Sequence, residues 1–99
     1  QHDYVMVDCT ATWCGPCKKI APKIKELSTK EEYNEVSFYI YDIDEDDELT
    51  EEYIEVVPTF LFFKDGELVK TVKGSNYNKV VEQLDNMLEE SESDSESSE

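Results

Sequence analysis

The chain has 99 residues, the length of one small domain, and 38% of them are hydrophobic, which is enough for one modest core. Nine lysines stand against 25 acidic residues, so the formal net charge is −16. Nucleic acids and anionic membranes repel such a surface, and neither is expected as a partner. No apolar run reaches the ~20 residues that span a bilayer, and no signal peptide is visible.

The first part of the chain predicts a strand and then a helix. Residues 4–11 are mostly apolar on both faces, which indicates a central strand with Asp8 as the exception. Residues 14–30 predict a helix with Pro16 in its first turn and Pro22 inside it, where a proline should produce a kink. Its apolar stripe consists of Ile20, Ala21, Ile24 and Leu27.

A second strand is predicted over residues 35–42, followed by an acidic segment over 42–55. Asp46 or Asp47 can cap a short helix in this segment, with an inner face formed by Leu49, Tyr53 and Ile54. The charges are interpreted as the solvated face of that helix. A calcium loop is disfavoured because the ligand spacing is wrong and the required glycine is absent.

Two more strands, over residues 59–64 and 67–73, flank the hairpin signal Asp65-Gly66. In the second of them, Leu68 and Val72 point inward, or Val69 does so in the alternate register. A last helix follows, capped by Ser75 or Asn76, and its apolar stripe consists of Val80, Val81, Leu84 and Leu88.

From Glu89 onward the chain contains only Glu, Ser and Asp, so residues 89–99 are expected to form a disordered, solubilising tail beyond a domain of residues 1–88. A sharper hypothesis makes the tail serines targets of an acid-directed kinase. Before the tail, the order of elements predicts an α/β fold. A right-handed βαβ unit and then a β-hairpin and helix give a four-stranded mixed sheet flanked by helices.

The chemistry of the chain is concentrated in Trp13-Cys14-Gly15-Pro16-Cys17, at the junction of the first strand and the first helix. The helix N-terminus favours a negative charge on Cys14, so the pKa of its thiol is expected to be lowered and Cys14 to be the attacking thiolate. Cys17 lies one turn later and is expected to be more covered, as the resolving thiol. The alternative is half of a zinc site, for which the chain offers only Cys9 and His2 as further ligands. Three cysteines suit one working pair and one single thiol, which fits a reducing compartment.

Two further positions can support this pair. Asp8 lies six residues before Cys14, and burial in the strand should raise the pKa of its carboxyl, so that it can exchange a proton with Cys17. The alternative for Asp8 is a structural acid paired with a buried lysine or hydroxyl. In Val57-Pro58-Thr59, a cis peptide would turn the backbone groups of Val57 outward, where an extended substrate can pair with them.

These features together resemble the thioredoxin family over residues 5–88. The resemblance rests on Asp8, the Trp13 to Cys17 signature, Pro22, the Asp-Ile-Asp that follows the second strand, Val57-Pro58-Thr59, the Phe-Phe-Lys-Asp-Gly hairpin and Gly74. It implies a thioredoxin fold and a monomeric protein-disulfide reductase of the cytoplasm, active in electron transport and cell redox homeostasis. Cys14 would attack and Cys17 resolve, forming the redox disulfide, with Asp8 as the buried acid.

The resemblance also implies that Pro58 is a cis proline and that substrate contacts Trp13, Gly15, Pro16, Val57, Pro58 and Gly74. No cofactor would be bound by the chain. A thioredoxin reductase, a flavoprotein that draws on NADPH, would reduce it in trans, and protein disulfides would be its substrates. Two other functions stay open: a disulfide isomerase or oxidase, and a thioredoxin-like binding module with incidental redox activity.

The chain departs from the family pattern in three places. Cys9 and Thr10 stand where the family usually has an aromatic pair, and Cys9 is expected to be an inert core thiol. Ile40 stands where many members carry a charged partner for the buried acid. The family's first strand and helix have no counterpart, so we expect an N-terminally shortened or minimal fold with an exposed edge strand.

Overall fold

The computed structural model describes residues 2–45 and 54–97, the side chains of 90–97 excepted. The elements in chain order are β1 (Tyr4–Thr10), α1 (Gly15–Ser28), a short 3₁₀ helix (Glu31–Tyr33), β2 (Val36–Asp42), β3 (Thr59–Lys64), β4 (Glu67–Lys73) and α2 (Tyr77–Ser97). All four predicted strands and both long helices are confirmed. The short helix predicted from Asp46 or Asp47 lies outside the described residues.

The four strands form one mixed sheet in the order β2-β1-β3-β4. β1 is central, because it pairs in parallel with β2 and antiparallel with β3, and β4 returns beside β3. This is the predicted βαβ unit followed by a hairpin. In the described part of the chain β2 forms an edge of the sheet, and Tyr39 and Ile40 on it are exposed, as expected for an unprotected edge.

One face of the sheet carries the main core, to which both α1 and α2 contribute. The buried side chains of this cluster include Met6, Ile20, Ile24, Leu27, Phe60, Phe62, Val80, Leu84 and Met87. Burying a side chain of this size contributes roughly 1.5–3 kcal/mol. On the other face, Cys9, Ile54 and Leu61 form a smaller cluster. Ile54 is thus buried as predicted.

The stripe predicted for α1 is wrong at one position. Ile20, Ile24 and Leu27 are buried, but Ala21 is exposed. The buried face instead extends backward to Cys17 and Cys14, so it follows steps of three residues through the first half of α1. Ala21 is rotated by about 100° from Ile20, which is enough to turn a small side chain to the solvent. α1 continues through Pro22.

The hairpin between β3 and β4 forms at the predicted Asp65-Gly66, where both residues have positive φ values of 54° and 84°. This is the geometry that the Asp-Gly pair favours in a two-residue turn. Val72 is buried, but Leu68 and Val69 are both exposed. The predicted register with Leu68 and Val72 inward is therefore correct only at Val72, and the alternate register with Val69 inward is wrong. A register shift between Phe62 and Phe63 explains this, since it changes the alternation along β4.

α2 begins as predicted, with the side chain of Asn76 accepting a hydrogen bond of 3.2 Å from the backbone N–H of Lys79. Its buried stripe also includes Met87, which is absent from the predicted stripe. α2 continues to Ser97, which differs from the disorder expected from Glu89 onward. Extending a helix whose first turns are packed costs little, and Glu is a good helix former. The domain boundary after residue 88 stays a prediction. No helix in the described part of the chain has the length and apolarity needed to cross a membrane.

Candidate active site

The N-terminus of α1 holds the cysteine pair. Cys14 is the N-cap of the helix, with extended backbone angles, and a disulfide joins it to Cys17 across a Cα–Cα distance of 5.3 Å. The backbone N–H of Cys17 donates a hydrogen bond of 3.1 Å to Sγ of Cys14. A hydrogen bond to a charged group contributes about 1.5–3 kcal/mol, so this N–H and the helix dipole both favour a thiolate at Cys14 in the reduced protein.

Accessibility does not distinguish the two cysteines. Cys14 is 4% exposed and Cys17 is 3% exposed. The sequence predicts that Cys17 is more covered, but the two side chains are almost equally buried. Their positions differ instead. Sγ of Cys14 receives the N–H of the first turn and lies 3.7 Å from the carbonyl oxygen of Val57. The asymmetry of the pair therefore comes from hydrogen bonding and not from depth.

Asp8 lies beneath the surface in the middle of β1 and is 5% exposed. Burial raises the pKa of its carboxyl from 3.8 to about 6, as the sequence predicts. Its Oδ1 atom has no hydrogen-bond partner among the residues that the structure describes. The alternative hypothesis of a structural acid paired with a lysine or hydroxyl therefore finds no support at this oxygen.

Cys9 and Asp8 are adjacent in β1 and point to opposite faces of the sheet. Cys9 is fully buried and its thiol is free. Burial, and to a lesser extent the charge of Asp8, raises the pKa of the Cys9 thiol to about 12. The thiol is therefore in the core as expected and protonated at neutral pH, and its inertness stays a prediction.

The loop before β3 lies at the same end of the sheet as the cysteine pair, because β3 runs antiparallel to β1 and begins beside the end of β1. The Val57–Pro58 peptide bond is cis, as the resemblance implies. The backbone N–H of Gly74 donates a hydrogen bond of 2.8 Å to the carbonyl oxygen of Pro58, and Gly74 has a φ of 88° that a side chain would disfavour. This bond ties the end of β4 to the loop. Val57, Pro58 and Gly74 are thus brought to the same edge as Cys14.

Trp13 is 66% exposed, and its indole Nε1–H donates a hydrogen bond of 3.2 Å to Oδ2 of Asp44. The backbone N–H of Asp44 is in turn bonded to Oδ1 of Asp42 at 2.9 Å. In the sequence, this Asp-Ile-Asp motif contributes only to the family resemblance. Because the carboxyl ends of the parallel strands β1 and β2 meet at one edge, Asp44 was predictable as a neighbour of Trp13.

Of the remaining predicted positions, two lie on the surface beside the disulfide, and His2 lies at the hairpin between β3 and β4. Gly15 and Pro16 are exposed next to the disulfide. His2, the other zinc ligand considered, contacts Asp65 in the hairpin through Nδ1 at 2.9 Å. No group of three or more His, Cys, Asp or Glu side chains suited to a metal is found within residues 2–45 and 54–89.

A disulfide closed across the first turn of a helix, on a mixed sheet that carries a buried acid, is an arrangement typical of thiol–disulfide oxidoreductases. The family model described as Thioredoxin matches residues 1–87. The chain belongs to the thioredoxin family, whose members are protein-disulfide reductases.

Individual relatives agree with this assignment. The chain is 52% identical over 73 residues to Thioredoxin Asp f 29 of Aspergillus fumigatus, covering 73% of this chain and 66% of that protein. It is 46% identical over 80 residues to Thioredoxin-2 of Pyricularia oryzae, covering 80% of this chain and 46% of that one. The X-ray structure of Fasciola hepatica thioredoxin superposes with a TM-score of 0.77 at 39% identity, covering 84% of this chain and 79% of that one. The chain thus spans about two thirds or less of the length of these two curated relatives.

Proposed function

We propose that this chain reduces disulfide bonds in other proteins by dithiol exchange. The observation that carries the proposal is the hydrogen bond from the Cys17 N–H to Sγ of Cys14, because it favours the thiolate that must attack. The Cys14 thiolate forms a bond to one substrate sulfur, and the other substrate sulfur leaves as a thiolate. Cys17 then attacks Sγ of Cys14, which forms the Cys14–Cys17 disulfide and releases the second substrate thiolate.

Asp8 supplies the proton exchange in this proposal. Cys17 must lose a proton before it attacks, and a carboxyl whose pKa is raised to about 6 by burial is a better base than an ordinary aspartate. At neutral pH most Asp8 carboxyls are ionised and ready to accept that proton. In the reverse direction the same group returns it.

Substrate binds over the disulfide at a surface formed by Trp13, Gly15, Pro16, Val57, Pro58 and Gly74. The position of the Val57 carbonyl, 3.7 Å from Sγ of Cys14, supports this proposal, because an extended substrate paired with Val57 would bring its own sulfur close to the attacking atom. Exposure of Trp13 provides a large apolar contact at the rim.

A thioredoxin reductase, a flavoprotein using NADPH, returns the disulfide to the dithiol, and the chain itself binds no cofactor. The chain acts as a monomer in the cytoplasm and serves electron transport and cell redox homeostasis. A reducing compartment suits a protein with a redox pair and one further free thiol, Cys9.

The test is turnover of a protein disulfide with NADPH and a thioredoxin reductase. The wild-type protein should turn over, and Cys14→Ser should not. The Cys17→Ser variant should retain partners as mixed disulfides on Cys14, because the resolving thiol is gone. A wild-type protein without turnover would contradict the proposal and favour the binding module. An ability to oxidise dithiols faster than it reduces disulfides would favour the isomerase or oxidase.

A further inference from the structure

The charge of this protein is unevenly distributed around the disulfide. The whole chain has a net charge of −16, yet α1 holds four of the nine lysines and a single acidic residue, Glu26. The lysines are Lys18, Lys19, Lys23 and Lys25, and all of them are exposed. The helix that begins at the redox site is therefore locally basic on an acidic protein.

Two of these lysines line a depression that starts beside the disulfide. It has a volume of about 260 Å³ and is formed by Pro16, Lys19, Ile20, Lys23, Ser75 and Tyr77. We call it the basic groove. A second depression of about 500 Å³ shares Lys23, Ser75 and Tyr77 with it and continues to Gly74. The basic groove thus runs from Pro16, adjacent to Cys17, toward the loop that carries Gly74.

The lysines of the basic groove have charges that the described residues do not neutralise. Lys73, in the second depression, forms an ion pair with Glu55. Lys19 and Lys23 form no ion pair within residues 2–45 and 54–89, whose salt bridges involve other groups. Nζ of Lys23 lies 5.4 Å from the centre of the Tyr77 ring, a cation–π contact that orients the ammonium while leaving its donors available.

We propose that the basic groove binds acidic residues that flank the disulfide of a substrate, so that the enzyme prefers protein disulfides with an acidic flank. The inference rests on the proposed function and adds a substrate preference to it. The net charge of −16 opposes such substrates at long range. At about 0.15 M salt, however, charges more than about 8 Å away are largely screened, and the local lysines decide the preference.

The test uses three disulfide-linked peptides that differ only at two positions beside the cysteine, which are Glu, Gln or Lys. We expect a higher kcat/KM for the Glu peptide than for the Lys peptide at about 0.15 M salt. An exposed ion pair contributes about 0.2–1 kcal/mol, so each lysine should change the Glu-to-Lys ratio by roughly 1.4-fold to fivefold. The ratio should approach one at about 1 M salt, where screening acts within about 3 Å.

Charge-matched variants identify the groove as the cause. The double variant Lys19→Gln/Lys23→Gln should bring the Glu-to-Lys ratio close to one. The control Lys30→Gln/Lys70→Gln removes the same charge at exposed positions outside the basic groove and should keep the wild-type ratio. Equal ratios in the two double variants, or a wild-type ratio of one, would overturn the inference. If the wild type fails to reduce even the Gln peptide, this result contradicts the proposed function. It then also contradicts the inference, which rests on that function.

Discussion

Asp8 and Ile40 lie opposite each other in the parallel register of β1 and β2, so an aliphatic side chain occupies the position across from the buried acid. Both residues line one groove of about 660 Å³ between α1 and β2, and Ile40 is 77% exposed there. Oδ1 of Asp8 has no partner in the described part of the chain. The pKa of Asp8 is raised by burial, although the side chains of Lys18 and Lys25 line the same groove.

The first prediction concerns this pair. Replacing Ile40 with Lys places a cation at the mouth of the groove, and the pKa of Asp8 should fall from about 6 toward its ordinary value of 3.8. Titration of the Asp8 carboxyl carbon by NMR measures this. The control is Ser37→Lys, which adds the same charge on the other face of β2, because Ser37 and Ile40 have opposite parity. An equal shift in both variants would contradict the pairing of Asp8 and Ile40.

The second prediction is a stability change in Asp8→Asn that depends on pH. The folded pKa is raised from 3.8 to about 6, so ionised Asp8 destabilises the folded state, and this cost develops as pH rises from about 4 to about 6 and stays above it. A difference of about two pKa units corresponds to about 3 kcal/mol. Asp8→Asn should therefore be more stable than wild type at neutral pH by up to about 3 kcal/mol.

Urea unfolding of both proteins between about pH 4 and pH 8 checks this prediction. The advantage of Asp8→Asn should shrink as pH falls toward 4, since the wild-type carboxyl becomes neutral there. A difference that is constant with pH would show that ionisation of Asp8 does not cost stability.

The third prediction concerns the reactivity of Cys9. In the oxidised protein Cys9 is the free thiol, and burial raises its pKa to about 12. Iodoacetamide should therefore leave the folded, oxidised protein unlabelled even at about pH 9, where exposed thiols are ionised. The same protein in denaturant should take up one label, and Cys9→Ala should take up none in either state. Rapid labelling of the folded protein would refute the assignment of Cys9 as an inert thiol.

The fourth prediction tests the packing of α2. Met87 is 1% exposed and belongs to the main core, so Met87→Ala should lower the free energy of unfolding by about 2–5 kcal/mol. The comparison is Leu68→Ala on β4, where the side chain is exposed and the loss should be about 1 kcal/mol or less. Denaturant unfolding measures both. Similar losses in the two variants would contradict the assigned burial.

The strands, the long helices and the hairpin could be predicted because their signals are local. A run of aromatic and aliphatic residues marks Thr59–Lys64, the Asp65-Gly66 pair favours positive φ, and the side chain of Asn76 caps the helix that follows it. The exposure of Ala21 and the register shift at Phe62 could not be predicted. Both depend on which neighbouring element a side chain meets, and periodicity carries no information on that.

The sequence by itself determined the cysteine pair, the helix that begins at it and the acid upstream, because spacing along one strand and one helix turn places Asp8, Cys14 and Cys17. Tertiary structure decided the rest of the site. The bond from Trp13 to Asp44, the bond from Gly74 to Pro58 and the closeness of Val57 to Cys14 each join residues distant in the chain. Such contacts arise only when the sheet brings the ends of its strands to one edge. The nearly equal burial of Cys14 and Cys17, and the lack of a hydrogen-bond partner for Oδ1 of Asp8 among the described residues, also appear only in the folded protein.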